Sequence, residues 1–325
     1  MVTNLKWAAD HVVRIRSEAF LEQLCLLCSA EAVADRAKKI SWRFSYPTSF
    51  SISDIEVFQR IWGNITKKMG IDQSVGSPEN KSESLASAHF FACHPRMKVI
   101  EKGDFKSGMV CIDIGGGTSD ISIYQNEKLF WQTSLRFAGR DIFLDLLYAN
   151  PNFLKEIFGT DISNLNKTIG NKTAFYAQAD ALISNDGEKW LSNLHYHRDE
   201  PAMKGFTHLI AIGLSGILFY IGLLLKFIAK SSAYKAQMPN IYVAGNGAKM
   251  FHWLGAGNYS SNSPISKLFK EVLLKASGFA INQQMFNIYI SLEPKAEAAF
   301  GLVCKMRDLD ESSKIDGVIA GEVFL

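Results

Sequence analysis

Between Met109 and Tyr124 an apolar run, Met109-Val110-Cys111-Ile112-Asp113-Ile114, breaks at three consecutive glycines and resumes as the alternating segment Ser119 to Tyr124. That order reads as strand, glycine turn, strand. A hairpin at this point excludes the Rossmann loop and the P-loop, both of which run from their glycines straight into a helix. Glycines without side chains let several backbone N–H groups converge on one anion, and Asp113 and Asp120 at the two strand ends are placed to hold a hydrated Mg²⁺ beside it. A glycine turn flanked by aspartates with a purely structural role has the same sequence, so spacing alone leaves both readings open.

The rest of the chain alternates helical and extended patterns, which makes the class α/β. Apolar residues at 3 and 4 spacing from about Ser17 to Lys39 predict one or two helices, with Cys25 and Cys28 as small apolar positions on them. Ile40 to Tyr46 reads as a strand ending before Pro47, and a helix follows from a cap at Ser53 or Asp54 to Gly70. Gly76-Ser77-Pro78 reads as a loop, and Glu83 to Cys93 as a helix stopped before Pro95. From Asp141 to about Tyr234 the pattern is mostly helical, with polar loops near Asn164 to Lys172 and His195 to Pro201, and a Ser/Asn-rich loop stands at Tyr259 to Pro264. Ile241 to Ala244 is a short buried strand that runs through Gly245-Asn246-Gly247 into a helix at Ala248 to Leu254. Ile288 to Ile290 is a last strand, and Ala296 to Met306 a last long helix.

Leu209 to Leu225 carries no charge over 17 residues, short of the roughly 20 a bilayer span needs. With 35 basic and 32 acidic side chains in 325 residues the net charge is +3, too even for a polyanion partner, so nucleic acid is not favoured. Five cysteines make neither a disulfide framework nor a complete zinc set. The N-terminal residues lack the pattern of a signal peptide. The expectation is a cytoplasmic, reducing environment. His195 and His197, like His89, His94 and Cys93, lack carboxylates at ligand spacing and read as solvated positions rather than a metal site.

Asp113-Ile114-Gly115-Gly116-Gly117-Thr118-Ser119-Asp120 resembles the second phosphate motif of the superfamily of actin, the heat-shock chaperone ATPases and the sugar kinases. Further segments fall in that superfamily's order. Tyr46-Pro47-Thr48-Ser49-Phe50 is loosely similar to its strand-end Val-Pro-Ala-(Tyr/Phe), and Glu83-Ser84-Leu85-Ala86-Ser87-Ala88 to its connecting helix. Ala138-Gly139-Arg140-Asp141-Ile142-Phe143 resembles the Gly-Gly-x-Asp-(Phe/Ile) after the hairpin. Ile241 to Ala248 resembles the adenosine motif, and Glu293-Pro294-Lys295-Ala296-Glu297-Ala298-Ala299-Phe300-Gly301-Leu302 the closing helix.

The resemblance, which runs from about Ile40 to Met306, implies an actin-like ATPase (ribonuclease-H-like) fold comprising the second lobe and the C-terminal part of the first. Residues 1–107 with 300–325 would form the partial first lobe and 108–299 the second, with a helical insertion at about 140–238. It implies ATP or ADP with Mg²⁺ as ligands. Asp113 and Asp120 would be the metal-water ligands. Gly115, Gly116, Gly117 and Thr118 would hold phosphates, and Gly245, Asn246, Gly247 and Ala248 the nucleoside. Glu83 stands where chaperones keep a water-positioning carboxylate, though a helix N-terminal Glu favoured by the macrodipole explains it equally. Because Gly115 and Gly245 must then share one cleft, Leu209 to Leu225 is expected to be a buried helix and not a membrane span.

One departure qualifies this. The family's first phosphate motif, Asp-x-Gly-(Thr/Ser), is absent, since no glycine precedes Gly63. The expectation is a piece of a longer chain whose start carries that motif, with little or no turnover of its own; a degenerate, non-catalytic interaction scaffold is the other outcome. Lys295 also falls where relatives carry a small or acidic residue near the nucleoside. The functional expectation is a nucleotide-driven conformational machine acting on a protein partner or on its own copies. The alternative is a sugar or small-acid kinase, for which no general-base Asp stands out.

Overall fold

The computed structural model describes residues 11–69, 79–93, 108–197, 199–254, 259, 263–280, 287–293 and 296–304. The predictions for Gly76 to Pro78, His94, Lys295, most of the Ser/Asn-rich loop and the end of the last helix lie outside them. The chain divides into two compact units, Met1–Glu83 and Ser84–Leu325.

In the first unit, helix α1 (His11–Ala34) is one helix, displaced toward the N-terminus from the expected span, and the chain breaks from it at Arg36 in the left-handed region (φ 64°). Strand β1 (Arg43–Tyr46) pairs in parallel with β2 (Glu79–Ser82), a strand too polar to be read from its sequence. Helix α2 (Ile52–Lys68) is capped by Ser51 rather than by Ser53 or Asp54. Asp54 is instead the third helical residue, whose carboxylate accepts from the Ser51 N–H at 3.2 Å, closing a capping box. A small aromatic core of Phe44, Trp62, Ile65 and Cys25 holds this unit, with Phe44 stacked on Trp62 at 4.8 Å between centroids.

The second unit is entered through α3 (Glu83–Cys93) and is built on a five-stranded sheet. Its strands are β3 (Met109–Ile114), β4 (Ser119–Gln125), β5 (Lys128–Leu135), β6 (Asn240–Ala244) and β7 (Ile288–Ile290), arranged in the order β5-β4-β3-β6-β7. β3, β4 and β5 form an antiparallel meander, while β6 and β7 run parallel to β3. The expected hairpin is present; β5 was not foreseen.

Strand alternation sends side chains to two faces. Val110, Ile112, Ile114, Ile121, Ile123, Ile241 and Val243 enter the large core. Over it lie α4 (Gly139–Ala149), α5 (Phe153–Phe158), α6 (Ser163–Asn166), α7 (Lys172–Asn193), α8 (Pro201–Ser231) and α9 (Pro264–Ser277). Met109, Cys111, Tyr124, Tyr242 and Ala244 face the other way, onto Leu85, Ala88, Phe90 and Phe91 of α3. The closing helix α10 (Glu297–Val303) lies against α3, so close that a Cβ on Gly301 would overlap the Ala86 carbonyl oxygen.

The uncharged run forms the middle of α8, a 31-residue helix with mean hydropathy 2.2 in its most apolar stretch. It is buried on one face only, a correction to the expected buried helix. Met203, Phe206, Ile210, Leu214, Ile217, Ile221, Leu225 and Ile228 are in the core, whereas Ile212, Phe219, Leu223 and Phe227 are exposed. Periodicity could not separate the faces, because both are apolar. The helix connects into β6, the immediate neighbour of β3, and Gly222 brings it against Ala276 of α9, where a Cβ would stand 2.5 Å from the alanine methyl.

Candidate functional site

β3 and β6 are adjacent parallel strands, and the chain leaves them in opposite directions, β3 toward β4 and β6 toward β7. This is a topological switch point, where open α/β sheets bind ligands beyond the carboxyl ends of their strands. The two glycine turns singled out in the sequence are the segments that leave those ends.

The first turn is closed by the Gly115 N–H donating to the Thr118 carbonyl at 2.9 Å. Gly116 is exposed, and Gly115, Gly117 and Thr118 are half-buried. Asp113 and Asp120 are direct register partners across β3 and β4. Cross-strand partners project to the same face, here the α3 face. Asp113 is half-buried and accepts a hydrogen bond from Ser87 Oγ of α3 at 2.7 Å. Asp120 is 4% exposed, so Asp113 is the carboxylate more open to a ligand.

The second turn begins at Gly245, whose φ of 80° is left-handed. A Cβ there would overlap Asp113 Oδ1 and stand 2.5 Å from the Ile114 carbonyl oxygen; one on Gly247 would overlap the Ile114 side chain. These glycines are therefore required by close approach of the β6 turn to the end of β3, whatever binds outside. Gly245, Gly247 and Ala248 are buried and Asn246 is half-buried. Within this turn Asn246 is the least buried residue, although its side-chain oxygen is buried without a partner. The expected helix after the turn is a 3₁₀ helix, Asn246–Trp253.

A third segment joins them. Gly139 N–H donates to Gly115 O at 3.3 Å, and a Cβ on Gly139 would lie 3.4 Å from the Gly247 Cα. Asp141, the third residue of α4, accepts from the Ala138 N–H at 2.8 Å. Burial pushes its carboxyl above the usual range, opposed by that bond and by the neighbouring Arg140 charge. Arg140 donates its own N–H to Gly116 O at 3.1 Å, lays Nη2 within 2.8 Å of where a Gly117 Cβ would be, and pairs through Nη1 with Asp180 of α7 at 2.8 Å.

Ser87, Arg140 and Glu297 lie in segments that the resemblance singles out, but the sequence gives them no role at the site; their contacts there come from tertiary packing. Glu297 is 1% exposed, and its Oε1 accepts the Gly245 N–H at 3.2 Å. Beneath the site the Cys111 thiol is pushed well up by burial, then by the Asp113 and Glu297 charges.

Glu83 is the first residue of α3 and is half-buried. The histidines behave differently from expectation. His89 is buried within α3, and His197 pairs with Glu200, three residues on, at 2.6 Å. Among the described residues no group of three or more metal-binding side chains is present. That is compatible with Mg²⁺, which uses one or two carboxylates together with water and phosphate oxygens. The half-buried Asp113 beside Asp120 fits such an ion, and the glycine turn, exposed at Gly116, fits an anion.

No family model matches the sequence, and no curated protein matches it. Among solved structures, the chain is similar to the ethanolamine utilization protein EutJ from Carboxydothermus hydrogenoformans at 12% identity and TM-score 0.40, over 89% of this chain and 73% of that one. It is also similar to MreB5 of Spiroplasma citri, solved bound to ADP, at 15% identity and TM-score 0.41, over 92% of this chain and 76% of that one. The sheet itself is mixed, an antiparallel three-strand meander extended by two parallel strands, with glycine turns at the adjacent ends of β3 and β6.

Proposed function

We propose that the chain binds a magnesium-complexed adenine nucleotide at the carboxyl ends of β3 and β6. We further propose that it is part of a nucleotide-driven conformational machine acting on a protein partner or on its own copies. One arrangement carries this reading: the turns Gly115 to Thr118 and Gly245 to Ala248 leave the adjacent ends of β3 and β6 and are bridged by Gly139, with Asp113 and Asp120 paired beside them.

In this reading the turn amides at Gly116, Gly117 and Thr118, with the Thr118 hydroxyl, donate to phosphate oxygens. Asn246, half-buried with its Oδ1 buried and unpartnered, is the candidate polar group for the nucleoside. Asp113 and Asp120 hold the ion through water, and Ser87 keeps Asp113 oriented. When bound, Mg²⁺ neutralises phosphate charge and fixes the phosphates relative to the turn. Glu83 is the candidate for positioning water, and its tie to the site is part of the proposal.

The family's opposing phosphate hairpin has no counterpart in this sequence. Each charge-assisted bond of that kind contributes about 1.5–3 kcal/mol, so the affinity is expected to be weak and hydrolysis slight. Titration calorimetry with ATP, in Mg²⁺ and in EDTA, tests this. The expected result is weak binding strengthened by Mg²⁺, with the Mg²⁺ effect lost in Asp113→Ala. An Asp113→Ala protein that still binds ATP with full Mg²⁺ dependence would overturn the assignment, as would an absence of binding at millimolar ATP.

A further inference from the structure

Arg140 lies against the glycine turn and is tied to a separate element. Its N–H bonds Gly116, its Nη2 packs on Gly117, and its Nη1 holds Asp180 near the middle of α7, 40 residues away in sequence. The two side chains are 34% and 29% exposed, so the pair is neither a deep structural ion pair nor a freely solvated one. A guanidinium carries five donors in a rigid fork and binds phosphate at least as well as carboxylate. Gly117 has no side chain to separate that guanidinium from whatever the turn holds.

We propose that Arg140 is a phosphate-sensing residue, shared between Asp180 and the terminal phosphate of a nucleotide on the turn. Phosphate bound there draws the guanidinium away from Asp180, and α7 is loosened in consequence. The inference rests on the nucleotide reading of the turn and adds to it a residue that distinguishes ligands by phosphate charge. More negative charge competes better with one carboxylate, so the discrimination runs ATP over ADP over AMP. It also gives the insertion helices a route by which to register what the turn holds, through one ion pair whose two ends lie on α4 and α7.

The test uses the whole chain and the conservative variants Arg140→Gln, Arg140→Lys and Asp180→Asn, each confirmed as folded by circular dichroism. Calorimetry with MgATP, MgADP, AMP and inorganic pyrophosphate is paired with amide hydrogen exchange over residues 172–193. Asp180→Asn frees the guanidinium and is expected to tighten MgATP and pyrophosphate several-fold. Arg140→Gln should weaken MgATP about tenfold, and AMP far less, with Arg140→Lys between. In the unsubstituted protein MgATP should speed exchange in α7. In Arg140→Gln that response should vanish, and in Asp180→Asn exchange should already be fast without nucleotide. Equal MgATP affinity in all variants, or α7 exchange unmoved by MgATP, would overturn the sensing role while leaving the nucleotide site standing. No binding of any nucleotide or of pyrophosphate by any variant would overturn both.

Discussion

Gly245 lies against Asp113 so closely that a single added methyl would overlap the carboxylate oxygen. The glycine also holds a left-handed backbone, with φ of 80°. Gly245→Ala therefore combines steric overlap with backbone strain at the candidate ion ligand, and should lower stability by roughly 1–3 kcal/mol. Gly116, by contrast, has open space where its Cβ would be and no positive φ. Gly116→Ala should shift stability by less than about 0.5 kcal/mol. Urea melts of the two variants check this; equal losses would mean that the turns are not packed as described.

The two faces of α8 make a second contrast. Leu225 is fully buried, whereas Leu223 is 44% exposed. Leu225→Ala should cost about 2–5 kcal/mol, the range for a buried leucine. Leu223→Ala, with much of its surface already in water, should cost under about 1 kcal/mol. Denaturant midpoints would show the difference, and similar losses at both positions would contradict burial of one face alone.

What the sequence revealed of this molecule was its local chemistry. The β3–β4 hairpin is legible because its glycines interrupt two β-rich runs, and the β6 turn because its glycines follow a short apolar strand. β5 escaped because the turn before it is Asn126-Glu127, both in the left-handed region at φ of 51° and 65°. That is the backbone of a two-residue type I′ hairpin, normally announced by Asn-Gly. Glu127 hides the signal, although Leu129, Trp131 and Thr133 alternate as buried residues behind it. β2 escaped for a different reason: Glu79 to Ser82 owes its extended shape to pairing with β1, not to its own composition. Within the site, Asp113, Asp120 and both glycine turns were readable as motif members. Ser87, Arg140 and Glu297 fell within motif segments, but their roles were not readable, since each reaches the site from another element.

Asp141 gives a pH-dependent expectation. Burial raises its carboxyl in the folded chain above the ordinary aspartate value. Folding thus favours the protonated form: that contribution is complete below the unfolded pKa and is lost as pH rises through the folded one. Asp141→Asn keeps an oxygen that can accept the Ala138 N–H but carries no charge to bury. Its stability should therefore gain on that of the unsubstituted chain as pH rises from the ordinary aspartate value through the raised folded one, and level off above. A stability difference between the two that is constant over that interval would show that burial of the charge is not what governs this position.

The contact between α3 and α10 supports a last prediction. Gly301 admits no Cβ, because the Ala86 carbonyl oxygen and the Phe90 N–H already occupy the space, the latter 3.1 Å from where that atom would be. Both obstacles are helix backbone, which cannot rotate out of the way as a side chain can. Each helix also supports the candidate site: α3 through Ser87, which bonds Asp113 at 2.7 Å, and α10 through Glu297, which accepts the Gly245 N–H at 3.2 Å. Gly301→Ala must separate the helices, and should cost about 1–3 kcal/mol by overpacking. It should also slacken both supports, so that Mg²⁺-dependent ATP binding falls although Gly301 touches neither Asp113 nor the turns. Ser87→Ala, which removes one support and leaves the helix contact intact, should cost about 1.5–3 kcal/mol at most as a lost bond to a charged group. Comparing melting and ATP titration for the two variants separates the effects. If Gly301→Ala melts like the unsubstituted chain, α3 and α10 do not meet at this residue.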